Sequence, residues 1–123
     1  MTGTGRADED DATAALRTLL TELDSCTEQL AQARARAEEL LAARESGRAW
    51  QDIVADEPRP LIVERISTVL GTLSTAGHVW RREQAAALQA EDVSINRIAA
   101  MFGVTRQRIS ALLREHGTPA DPD

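Results

Sequence analysis

The chain has 123 residues, a formal net charge of −6 and only three aromatic side chains, Trp50, Trp80 and Phe102. That length allows one compact domain with an extension. A single cysteine, Cys26, excludes an intrachain disulfide, and no apolar run approaches the ~20 residues of a membrane span.

Apolar content is carried by Ala, Leu, Ile and Val, and no run alternates over the length of a strand. The expected class is all-α, with a long N-terminal coiled-coil helix followed by a small helical domain. Residues 1–11 are rich in Gly, Thr and acid and are expected to form a disordered tail. The acid run Asp8 to Asp11 suits the start of the helix behind it.

Residues 12–45 contain neither Pro nor Gly and are built from strong helix formers. Leu16, Leu19, Leu23, Cys26, Leu30, Ala33, Ala37 and Leu40 follow one another at alternating steps of three and four. That spacing is a heptad seam, with Leu16, Leu23, Leu30 and Ala37 on one line and Leu19, Cys26, Ala33 and Leu40 on the other. Such a helix is roughly 50 Å long, too long for a small globule to cover. Two occupants of the seam follow: a second copy in a homodimeric coiled coil, or the later helices of the same chain. In a parallel dimer Cys26 would face its counterpart.

Residues 46–77 read as a helical connector. Ser46 and Gly47 interrupt the long helix or end it. Trp50, Ile53 and Val54 form one apolar face of a short packing helix anchored by Trp50, which stops by Pro58. Pro60 suits the first turn of the next helix. Its stripe is Leu61, Ile62, Ile66, Val69, Leu70 and Leu73, and Gly77 closes it.

Residues 78–116 form the expected functional domain. His78 to Ala90 is predicted as a helix, with Trp80, Ala87 and Leu88 as core candidates. Ser94 caps a second helix over Ile95 to Phe102, whose buried face is Ile95, Ile98, Ala99 and Phe102. Gly103 and Val104 make a tight turn. Thr105 caps a third helix, whose buried residues are Ile109, Leu112 and Leu113. Residues 117–123 are expected to be a disordered tail.

Ile98, the small Ala99, Phe102, Gly103 four residues after Ala99, Val104, Ile109 and Leu112 resemble the helix-turn-helix of DNA-binding proteins. The string GVTRQRIS is similar to the recognition helices of region four of sigma factors and of the resolvase and invertase DNA-binding domains. The resemblance implies that the helix over about 105–114 enters the major groove. Arg106, Gln107, Arg108 and Ser110 would then read bases, since Arg and Gln forks fit guanine and adenine edges. Arg81, Arg82, Arg97, Thr105 and Arg114 would contact phosphate.

The charge distribution is compatible with double-stranded DNA as a partner. Residues 1–57 hold 13 acids and 6 arginines, whereas residues 78–116 hold 6 arginines and 4 acids. No enzymatic constellation is present in the pattern: no phosphate loop, no nucleophile motif and no metal-ligand spacing. His78 and His116 read as solvated residues at helix ends. The sequence therefore points to a cytoplasmic DNA-binding regulator acting as a homodimer, without cofactor, metal or membrane. Two alternatives remain: an adaptor that binds RNA polymerase or another regulator without touching DNA, and an accessory DNA-binding protein of a phage or mobile element.

Overall fold

The computed structural model describes residues 9–117. Among them the protein is all-helical, with α1 Asp11–Glu45, α2 Trp50–Asp56, α3 Ile62–Ala90, α4 Ile95–Phe102 and α5 Arg106–Gly117. The expected tails lie largely outside the described residues. Where they overlap them, Asp11 already opens α1 and Gly117 still belongs to α5. None of the described helices is long and apolar enough to cross a membrane.

Each helix end has a local cause. Asp10 caps α1, its Oδ1 accepting from the Thr13 amide at 2.7 Å. Hydrogen bonds from the Thr13 side chain and then its backbone hold the Asp10 carboxyl below the ordinary carboxylate range. The cap is therefore charged above the unfolded-state pKa and is lost as pH falls through the lowered value. Gly47, at φ 103°, turns the chain out of α1. The Leu61 amide donates to Glu64 Oε1 at 2.8 Å and fixes the start of α3. Asp92, at φ 66°, ends it, with the Val93 amide returning to the Leu88 carbonyl at 3.1 Å.

Two expected boundaries need correction. Gly77 does not close a helix: α3 runs unbroken from Ile62 to Ala90. A glycine inside a helix costs only ~1 kcal/mol relative to alanine, and the helix-forming residues on either side outweigh it. Trp50 does not anchor α2 either. It is 53% exposed, under the Arg44 guanidinium 5.4 Å from its ring centroid, and Ile53 is the buried residue of that helix.

The chain divides into two compact units. One is Leu20–Thr75; the other takes the chain up to Leu19 and from Ala76 onward. In the Leu20–Thr75 unit, Cys26 Sγ lies 3.9 Å from the Val69 carbonyl, and Arg65 donates to Gln32 Oε1 at 3.0 Å. Residue numbers rise along α1 as they fall along α3, so the two segments pair antiparallel within one chain.

This pairing takes up one line of the expected seam and leaves the other open. The residues of α1 that are not exposed are Ala12, Ala15, Leu19, Glu22, Cys26, Gln29, Ala33, Arg36, Leu40 and Ala43. They keep the alternating three-four step but follow a line rotated from the expected one. Leu19, Cys26, Ala33 and Leu40 lie on it; Leu16, Leu23, Leu30 and Ala37 stay exposed. The reason is size and reach. Small side chains at Ala15, Cys26 and Ala33 let another helix approach closely. Glu22, Gln29 and Arg36, half-buried, fill the same line between them, with Gln29 donating to Ser25 Oγ and Arg36 paired with Glu39. Cys26 thus faces its own chain, not a counterpart across a dimer seam.

At 2% exposure, the Cys26 thiol should react with alkylating reagents only when the protein unfolds. Mild oxidation of the native protein should leave it uncross-linked on a non-reducing gel, and rapid labelling without denaturant would contradict the packing of Cys26 on α3.

Candidate nucleic-acid interface

The C-terminal helices are set by a short chain of backbone devices. Ser94, in extended conformation, accepts from the Arg97 amide at 3.1 Å and opens α4. Gly103 closes it at φ 69° and ψ 32°, and the Val104 amide returns to the Ala99 carbonyl at 3.0 Å. A side chain at Gly103 would meet nothing, so the left-handed conformation alone selects glycine. Thr105 Oγ1 then accepts from the Arg108 amide at 3.1 Å and opens α5.

Three helices share the core beneath them. Ala85 of α3, Ile98 and Ala99 of α4, and Ile109 and Leu112 of α5 are buried together, with Leu88, Val93, Ile95, Phe102 and Leu113 packed around them. Full burial of Ile98 and Ile109 stabilises the arrangement by roughly 1.5–3 kcal/mol each. The sequence pointed to Ala87 as the core alanine of this helix; Ala85 is the one buried here and Ala87 is half-buried, since with alanine at 85, 86 and 87 spacing cannot decide between them.

With Ile109 and Leu112 turned inward, helical geometry fixes what α5 shows. Gln107, Ala111 and Arg114 occupy the centre of the outer face and are exposed, and Ser110 sits half-buried at its edge. Arg106 and Arg108 lie on opposite flanks. Arg106 Nη1 donates to Asn96 Oδ1 at 3.1 Å, tying the start of α5 to the start of α4. Arg108 borders a shallow groove of about 120 Å3 with His78, Ala111, Leu112 and Glu115. Asn96 escaped the sequence reading, since nothing in the spacing pairs it with Arg106.

The five residues expected at phosphate differ in their surroundings. Arg81 is exposed, with its guanidinium 4.2 Å from the Phe102 ring centroid. Arg97 and Arg114 are exposed. Thr105 is exposed and uses its hydroxyl oxygen as the α5 cap. Arg82 is half-buried and donates from Nε to Glu83 Oε2 at 3.3 Å, so part of its charge is already spoken for.

His116 is an exposed helix-end residue as expected, whereas His78, also exposed, lies inside α3, and each histidine has a carboxylate partner. His78 Nε2 of α3 meets Glu115 Oε1 of α5 at 2.6 Å, and His116 Nε2 of α5 lies 3.0 Å from Glu83 Oε1 of α3. Two reciprocal His–Glu contacts therefore hold the last turn of α5 on α3. The second is a close approach without hydrogen-bond alignment, and Glu83 Oε1 is buried without a hydrogen-bond partner. The Asp11 carboxylate joins this pair, so that Asp11, Glu83 and His116 bring one donor atom each within 4.8 Å of one another. With Asp11 and His116 exposed, this is an open surface cluster.

No protein-family model, curated protein or solved structure matches the chain.

Ala99 lies where α4 meets α5 and α3. Ala99→Leu should cost ~1–3 kcal/mol through overpacking, and Gly103→Ala should cost ~1–2 kcal/mol through the left-handed backbone alone. Denaturant unfolding of both variants measures this, and an Ala99→Leu protein as stable as the parent would mean that the helices do not close on residue 99.

Proposed function

We propose that α4, the Gly103 turn and α5 form a helix-turn-helix, and that the protein is a sequence-specific DNA-binding transcriptional regulator of the cytoplasm, acting as a homodimer. The observation that carries this reading is the outer surface of α5. Gln107, Ser110, Ala111 and Arg114 are presented together between Arg106 and Arg108, and no acid precedes Glu115 on the helix. An ordinary solvated helix mixes acids with bases for i,i+4 pairing. This one offers forked donors, a hydroxyl and a methyl group, the set that reads major-groove edges.

In this reading α5 lies in the major groove. Gln107, Ser110 and Arg114 face the bases, with the Ala111 methyl allowing close approach to a thymine methyl. Arg106, steadied by Asn96, and Arg108 reach bases from the flanks. Arg81 and Arg97 touch phosphate, and the α5 N-terminus with Thr105 adds amide donors. The adaptor reading draws on a different observation, the exposed Trp50 and Val54 of α2, a surface suited to another protein of the transcription machinery.

Binding to random genomic fragments at increasing salt separates the two readings. A regulator should be retained at low salt and released with a steep log–log slope. Arg106→Ala or Gln107→Ala should each remove ~1–3 kcal/mol of discrimination at particular base pairs. Arg81→Ala or Arg97→Ala should weaken all sequences alike and lower the slope by ~1. A folded parent protein with no salt-dependent retention would leave the adaptor reading in its place.

A further inference from the structure

The Leu20–Thr75 unit carries an apolar face that its own helices leave open. On α1, Leu23 and Leu30 are 41% and 44% exposed, and Leu20 and Leu41 are more open still. On α3 the exposed residues are Val63, Ile66 and Leu70. Every one of these positions directly follows a residue on the covered line of its helix: Leu23 follows Glu22, Leu30 follows Gln29, Ile66 follows Arg65 and Leu70 follows Val69. At 100° per residue they sit to the same rotational side of each helix. Because the segments run antiparallel, those two sides fall on one flank of the pair, and the stripes make a single surface.

Its size and charge select the occupant. The seven side chains expose on the order of 700 Å2, above the ~300–600 Å2 of the largest patch on a typical monomer and near the ~800 Å2 that each partner gives to a stable interface. Between Leu20 and Leu41 the stripe contains one charged position, Arg34, which already lies 3.6 Å from its own Glu38. A strongly charged partner would find nothing to pair with. A second copy brings the same apolar rows with no stack of like charges, as a twofold interface requires.

We infer that two chains associate through this flank, setting two α1–α3 pairs against each other as a four-helix bundle. The inference rests on the homodimer of the regulator reading and gives it a surface: Leu23, Leu30, Ile66 and Leu70 meet the partner copy while Cys26 and Ala33 stay within each chain. This is a different dimer from a two-stranded coiled coil, in which α1 alone would pair.

Sedimentation equilibrium of the full chain tests it. The parent should sediment at twice its 13.4 kDa chain mass at tens of micromolar. Leu30→Asp with Leu70→Asp should weaken the dimer at least ~100-fold, since each removes most of a buried leucine from the interface. Circular dichroism should show unchanged helicity, because both side chains are exposed in the single chain. Leu30→Met with Leu70→Met should restore the dimer. A monomeric parent overturns the inference, and so does a dimer that the folded aspartate variant keeps. DNA retention is scored separately: a parent that dimerises through this flank yet ignores DNA refutes the regulator reading and leaves the interface standing.

Discussion

How closely α3, α4 and α5 can approach governs the C-terminal half of the protein, and two alanines set that distance. Ala85 and Ala99 are buried where the three helices meet. A longer side chain at either would push α5 outward and rotate its exposed row away from the line fixed by Ile109 and Leu112. The interior of a protein is packed at the density of an organic crystal, so this geometry has little slack. The surface row of Gln107, Ser110, Ala111 and Arg114 is thus a consequence of what lies beneath it.

The residues that were legible in the sequence are those whose conformation is decided within a few positions. Ser94 and Thr105 could be recognised as caps, Gly103 as a left-handed exit, and Ile98 and Ile109 as buried, because each follows from a local requirement of the backbone or from helical period. The long helix was legible as a helix for the same reason. Its covered side was not. Leucine at 16, 23 and 30 marks the more hydrophobic line, but helix packing also rewards small residues, and Ala15, Cys26 and Ala33 won that contact. The continuity of α3 through Gly77 and the Arg106–Asn96 and His–Glu contacts depend on partners far along the chain, which spacing does not reveal.

The charges divide by role. Glu83 and Glu115, among the few acids near the C-terminal helices, are engaged with His116 and His78, so they brace α5 from behind and leave its outer row to neutral and basic groups. Arg114 lies in the last turn of α5, where positive charge complements the helix dipole. Arg106 and Arg108 sit near its opposite end, where the dipole disfavours them. The outer row thus carries a polarity along its length as well as across it.

Gly71 and Gly77 lie inside α3, and a methyl group at either would touch nothing. No close approach or unusual backbone angle calls for glycine at these two positions. Each lowers helix stability by ~1 kcal/mol relative to alanine, and they stand six residues apart in a helix of 29. The middle of α3 therefore has a lower intrinsic helix propensity than its flanks, and its helical state rests on the burial of Val69 and Ala76 more than on local preference.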